Sequence, residues 1–296
     1  MSDISLMGAA VLGVVEGLTE FLPVSSTGHL RITEALLHYP TDDKAVVAFT
    51  AVIQVGAIAA VIVYFFADIA RIVGAWCRGL VNAEARTARD YRFGWWVIAA
   101  TIPLVVVGVA AKSLIDGPLA SLWVVVASLV LGSAYMWVAE RRSARRPVPA
   151  VAGRHRTPEP PAVRGEDEVT LRDAMLVGSS QIFALLLPGF SRSGASISTG
   201  LLCGLDRVAA TRLSFFLSIP ALTGAGLYEL KDALGQGVGA GPLVLGTLIS
   251  FVVAYAVIAW LLWFVAHYTF RGFIVYRLVL AAVIVGLLAT GTWVTA

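Results

Sequence analysis

Charge is what this 296-residue chain has least of. Only 14% of its residues are Asp, Glu, Lys or Arg, against about 25% in soluble domains. Fifty-eight per cent are hydrophobic and the mean hydropathy is +0.83. A water-soluble globule is excluded, and an integral membrane protein is indicated. Cysteine is also scarce. Cys77 and Cys203 lie far apart, so neither a disulfide framework nor a CxxC metal site can be built from them, and both read as small apolar fillers. Period-2 alternation in short segments, the mark of a membrane barrel, is missing, and the apolar runs are continuous. A basic leader is missing too. Asp3 stands where a cleavable signal would carry positive charge, so no such signal is expected. The net charge of +3 implies no nucleic-acid partner, because the arginines follow membrane topology.

Ten apolar segments are present. Five cover residues 4–22, 25–37, 46–66, 93–111 and 119–139. A polar stretch rich in Arg and Pro follows at 140–169. Five more cover 171–188, 193–205, 209–230, 242–266 and 275–294. The longer ones can cross a hydrocarbon core that takes about 20 helical residues. The two sets resemble each other. Glu16 precedes Pro23 by seven residues, and Gln181 precedes Pro188 by seven. A small hydroxyl-rich turn follows each Leu-Pro, "LPVSSTGHL" at 22–30 and "LPGFSRSGAS" at 187–196. Non-helical backbone at membrane depth is tolerated only where protein or a wet cavity surrounds it. Each broken pair is therefore read as a re-entrant hairpin, followed by three full crossings. Three is odd, so the second half is inverted relative to the first. The expected fold is an all-α membrane protein of about ten helices, with six crossings and two re-entrant hairpins in an inverted repeat. Its parts are a first repeat at 1–139, a polar cytoplasmic loop at 140–170 and a second repeat at 171–296.

Basic residues agree with that topology. Seventeen of the 22 lysines and arginines fall in 67–92, 140–172, 205–212 and 266–277. Arg31, Lys44, Lys112 and Lys231 fall on the other side, and Arg192 is left in the second turn. The bias follows the positive-inside rule and places both termini and the mouth of the first hairpin outside.

The chemistry lies in the turns. Glu16 and Glu20, four apart, share a helix face, and carboxylates inside a membrane segment mark a functional site by default. Two readings follow: the pair holds a divalent cation, Mg²⁺ or Ca²⁺, or it orients His29 and the hydroxyls of Ser25, Ser26 and Thr27. A pair merely satisfied by neighbouring hydroxyls is the plain alternative. Ser25 suits a helix N-cap. His29 falls three and four residues after Ser26 and Ser25, on their face, where a neutral imidazole can take a proton from a hydroxyl or water. A structural histidine bonded to a carbonyl is the plain alternative. Glu34 is expected near the surface and His38 at the interface. In the second turn Arg192 sits between Ser191 and Ser193, with Ser196 beyond. Its forked donors suit phosphate oxygens, and the following helix N-terminus adds positive potential. An Arg–Glu ion pair is the ligand-free alternative. Gln54 falls within a crossing, where it lines the site or bonds between helices. One turn thus has a hydroxyl, a base and carboxylates, and the other an anion cradle. These are the parts of phosphoryl transfer on a greasy substrate.

"EGLTEFLPVSSTGHL" and "PGFSRSGASIS", with "VIQVGAIAAV" at 52–61 and "RLSFFLSIPA" at 212–221, closely resemble the motifs of the bacterial undecaprenyl-diphosphate phosphatase family linked to bacitracin resistance. The likeness covers nearly the whole chain except the polar loop. It implies a multi-pass enzyme of the bacterial cytoplasmic membrane, with its site towards the periplasmic face, that removes the terminal phosphate of a polyprenyl diphosphate lipid with help from a divalent cation. Carried over by position, Glu16 and Glu20 are the acidic pair, Ser26 and His29 the catalytic hydroxyl and base, and Arg192 the phosphate ligand beside Ser191 and Ser193. The family commonly has Thr where Ser196 stands; the hydroxyl is kept. The rival expectation is a transporter or flippase of the same lipid, with the bilayer and a second copy of the chain as candidate partners.

Overall fold

A computed structural model describes residues 4–40, 43–111, 114, 121–144, 163–234 and 238–290, with the backbone alone at 227–234. Helices make up nearly all of it. In chain order they are α1 Leu6–Thr19, α2 Ser26–Leu36, α3 Lys44–Tyr64, α4 Phe66–Val81, α5 Arg89–Ala110, α6 Leu122–Ala144, α7 Leu171–Leu186, α8 Arg192–Cys203, α9 Arg207–Leu234, α10 Ala240–His267 and α11 Arg271–Ala289. Six of them (α3, α5, α6, α9, α10 and α11) are long and apolar enough to cross a membrane. The protein is an all-helical, multi-pass membrane protein. The two pairs expected to be broken are short: α1 and α2 have 14 and 11 residues, α7 and α8 have 16 and 12.

The termini of these helices follow from local chemistry. Ser5, Asp43 and Thr170 cap α1, α3 and α7 by accepting from Gly8, Ala45 and Asp173 amides, which satisfies amides that a helix start leaves orphaned. Ser25 and Ser191 cap α2 and α8 in the same way, each accepting from the glycine three residues on, at 3.4 and 3.1 Å. Both have positive φ, 76° and 74°, a costly conformation for a side-chain-bearing residue. The two breaks are therefore built to one local plan.

Close packing draws the short helices inward. Glycines let α1 lie backbone to backbone on α10: a Cβ on Gly17 would come 2.7 Å from Ser250 O, and one on Gly13 would meet the backbone of Gly246. Such contacts replace the hydrophobic drive that lipid cannot supply between helices. α7 packs likewise on α5, with Gly178 against Ala100.

Several expectations need correction. α4 is absent from the ten expected segments, its residues after Phe66 being counted only within the basic stretch 67–92. It is a 16-residue helix with exposed Phe66, Val73 and Leu80 seven residues apart and charged Asp68, Arg71 and Arg78 elsewhere on it. That pattern is amphipathic but too polar to stand out as a crossing. The first five residues of the expected polar loop, 140–144, are helical and belong to α6. Residues 163–169 are built in: Arg164 binds Asp173 through both guanidinium nitrogens at 2.8 Å and donates to Cys203 O. The rest of that loop, with Arg154, His155 and Arg156, lies outside the described residues, as do Lys112 and the Lys231 side chain. Cys77, read as a filler, is exposed.

The arginine-rich segments touch one another. Arg212 pairs with Asp68 and Glu166, Arg71 with Asp68 and Asp90, and Arg207 with Glu140. Burial raises the Asp68 carboxyl, but bonds from Arg71 and Arg212 outweigh it and hold the group below the usual range. Asp173 behaves alike, with Arg164 outweighing burial. Arg277 is the exception. It was counted with the interfacial arginines, yet it is fully buried, six residues inside α11.

Candidate active site

Glu20 is where the two breaks meet. It follows the last turn of α1 and is 5% exposed. One carboxylate oxygen accepts from Ser26 Oγ at 2.7 Å, and the other is ion-paired with the guanidinium of Arg192. Ser26 is the first residue of α2, and Arg192 is the first of α8. One carboxylate thus holds a residue six positions on and another 172 positions on. Ser193 Oγ ties the turns again by donating to Leu22 O at 2.8 Å. The ligand-free Arg–Glu pair foreseen from the sequence is the arrangement present.

Glu16 lies one turn back on α1 and is 1% exposed. Both its carboxylate oxygens are buried without a hydrogen-bond partner of good geometry. Arg192 and the Gln54 amide are the groups that act on it electrostatically, so Gln54 belongs to this cluster. A buried carboxylate left this way is costly, and it is the observation that bears on a cation. Among the described residues no three His, Cys, Asp or Glu side chains converge as a metal cage. Two carboxylates with phosphate and water oxygens completing the shell are, however, how Mg²⁺ is commonly held. The donor set fits a hard divalent ion bound together with a phosphate ligand.

Of the two readings open for His29, the one bonded to a carbonyl is the arrangement present. Its spacing predicts a partner at Ser25 or Ser26, and the partner is Ser25, but through the backbone: Nδ1 meets Ser25 O at 2.7 Å. Ser25's own hydroxyl is turned to the Gly28 amide. A carbonyl only accepts, so Nδ1 carries the proton and Nε2 is left with its lone pair. Tyr276 Oη donates to Nε2 at 2.6 Å. The Ser26 hydroxyl therefore has Glu20, not His29, as its acceptor.

The remaining candidates divide. Ser191 is buried, capping α8 and lying 3.2 Å from Ser193 Oγ. Ser196 is fully buried and donates to Arg192 O at 2.7 Å beside Ser214, so its hydroxyl braces the turn from behind. Thr27 is exposed. Glu34, expected near the surface, is 5% exposed on the inward face of α2.

Two residues that sequence reasoning missed hold this arrangement. Arg277 donates to Pro23 O in the first break (3.2 Å), to Gly189 O and Phe190 O in the second (3.1 and 3.0 Å), and to Leu129 O and Ser133 Oγ of α6. The turns that follow α1 and α7 present these backbone carbonyls to one guanidinium. Backbone carbonyl oxygens meet its charge in place of a carboxylate. The signal was available: an arginine inside an apolar segment is a functional flag. Tyr276, its neighbour, carried none.

The fold and the cluster define a class: a multi-pass membrane protein whose two broken helices bring a carboxylate, a hydroxyl and a guanidinium to one point. The family described as Bacitracin resistance protein BacA matches residues 9–283, and the chain belongs to it. Undecaprenyl-diphosphatase 1 of Frankia alni is 67% identical over 291 residues, 98% of this chain and 99% of that protein. Proteins of the same name from Streptomyces avermitilis and Streptomyces coelicolor are each 65% identical over 291 residues, with the same coverage.

Proposed function

We propose that this protein is a membrane phosphatase that hydrolyses undecaprenyl diphosphate to undecaprenyl phosphate and inorganic phosphate, recycling the lipid carrier for cell-wall synthesis and conferring bacitracin resistance. The junction of Ser26, Glu20 and Arg192 is the observation that carries the chemistry. Family membership, and relatives named for the activity at 65–67% identity, carry the substrate.

The residues act as follows. Arg192 exchanges Glu20 for the terminal phosphate, whose oxygens match its fork. Glu20, released from the ion pair, accepts the Ser26 proton. Ser26 Oγ attacks the terminal phosphorus, and the bond to the bridging oxygen breaks with its electrons staying on undecaprenyl phosphate. Water then opens the phosphoserine, with His29 Nε2 taking its proton. Charge on the transferring group is met by Arg192 and the α8 N-terminus. A divalent ion held by Glu16 and Glu20 would supply further charge neutralisation at the phosphate oxygens.

The site residues belong to a two-fold design: repeats at 1–139 and 171–296, inverted, each opening with a re-entrant hairpin, joined by a cytoplasmic loop at 140–170, the site opening to the periplasmic face. The matched caps at Ser25 and Ser191 support it, as do the shortness of both broken pairs and the mutual contact of the arginine-rich segments.

Phosphate release from a prenyl diphosphate in detergent micelles tests the reading, because micelles offer no second compartment. The intact chain should release phosphate, and the His29→Ala and Arg192→Ala variants, purified and folded, should not. Full activity in both variants would overturn the site. Absence of release by the intact chain under all divalent ions tried would favour a carrier of the same lipid.

A further inference from the structure

The hydroxyl of Tyr276 blocks the very nitrogen that the chemistry above needs. It donates to His29 Nε2 at 2.6 Å, with the two ring planes within 4° of parallel and their centroids 5.5 Å apart. Tyr276 is 46% exposed, on a flank of α11 where Val275 and Val279 are 61% and 56% exposed. Such apolar exposure on a crossing helix faces lipid. The tyrosine thus reaches from the bilayer side to the site.

Its backbone is not free to yield. Arg277, the next residue, is fully buried and bonded to both breaks and to α6. Moving α11 would strip those bonds at once. Rotating the phenol about its own side-chain torsions costs one hydrogen bond. The two neighbours divide the work: one anchors the helix, and the other is the movable part.

We propose that Tyr276 is a lateral gate. In the lipid-free protein its hydroxyl occupies His29 Nε2. A diphosphate head group entering from the bilayer beside α11 displaces it, and a proton-bearing oxygen arriving with that head group, a water or a protonated phosphate oxygen, takes its place. This rests on the phosphatase reading, and its tests separate the two.

Kinetics give the first test. Tyr276→Phe keeps the ring and removes the competing donor. It should raise kcat/KM for a prenyl diphosphate by about fivefold, the worth of one hydrogen bond of about 1 kcal/mol, through a lower KM with kcat within about twofold. A tyrosine that merely supported His29 would give the opposite sign, so an unchanged or lower kcat/KM overturns the gate. Labelling gives the second, which needs no turnover. In a chain with Cys77 and Cys203 replaced by Ser and reconstituted in vesicles, Tyr276→Cys should react with an apolar maleimide. Farnesyl methylenediphosphonate, which cannot be hydrolysed, should slow that reaction at least fivefold. Val275→Cys, on the outward flank, should react at the same rate with or without it. No protection at 276, or equal protection at both positions, overturns the gate. Failure of phosphate release by the unmodified chain would sink the phosphatase reading and leave the labelling contrast to decide the gate alone.

Discussion

The two breaks are alike in backbone and opposite in charge. Each follows a short helix with a Leu-Pro, turns through a serine at positive φ, and opens the next helix with that serine accepting from the amide of the glycine three residues on. The first carries Glu16, Glu20 and His29; the second carries Gln181 where Glu16 would be, and Arg192. Shape comes from the caps and from Arg277, which treats both breaks alike. Chemistry comes from a few side chains that differ. A frame repeated twice with unlike charges makes its own complementary pair, and that pair meets at Glu20.

Breaking the charge difference should have the largest effect. Arg192→Ala removes the cation from the phosphate and should lower kcat/KM by about a thousandfold, the scale of losing one preorganised donor at developing negative charge. Arg192→Lys keeps the charge without the fork and should recover only part of it. Phosphate release measured on both variants checks the order. Equal activity for Ala and Lys would show that the charge does not matter.

Breaking the shared frame comes next. Arg277→Met leaves carbonyls of both breaks and of α6 unpaired, at about 1–3 kcal/mol for each buried group left unsatisfied. The variant should unfold far below the parent in a detergent thermal melt. Arg277→Lys, with three donors and no fork, should fall between. If instead Arg277→Met melts like the parent, the clamp is dispensable.

Much of the frame was legible in the sequence because its causes are local. Pro23, Pro188 and the glycines mark the breaks, and charges in apolar runs mark Glu16, Glu20 and Arg192. What stayed hidden was long-range or masked by composition. Nothing near Tyr276 announces a partner 247 residues away. Arg277 was hidden among cytoplasmic arginines because counting by segment treats every arginine near a helix end as solvated. His29 shows a finer limit. Spacing put Ser25 and Ser26 on its face without choosing between them or naming the atom, because an N-cap turns its hydroxyl to its own helix and leaves its carbonyl to the histidine. α4 escaped for a different reason: its charges lower its hydropathy although its apolar stripe is intact.

Exchanging the caps sharpens the likeness of the breaks. Ser25→Ala and Ser191→Ala should each cost about 1 kcal/mol, the usual loss for a missing N-cap. Ser25→Gly and Ser191→Gly should cost only a few tenths, since glycine caps weakly but accepts positive φ freely. Matched values at the two positions, read from melts, would support one plan used twice. A much larger loss at Ser191 would mean that its contact with Ser193 outweighs its cap.

The smallest effect separates the site from the charged end of the bundle. Asp68 and Asp173 have carboxyls held below the ordinary range by Arg71, Arg212 and Arg164, against the opposing pull of burial. A carboxyl whose folded pKa is depressed stabilises the fold above its unfolded value, about 3.9, and loses that contribution as pH falls through the folded value. Stability should therefore be insensitive to these groups between pH 5 and 8, on the order of neutral conditions, and should decline on acidification below about pH 4. Asp68→Asn should flatten that decline while leaving phosphate release at neutral pH within about twofold, because surface ion pairs contribute little and the group lies outside the Glu20 cluster. A decline equally steep in Asp68→Asn and the parent would place the acid-sensitive contacts elsewhere.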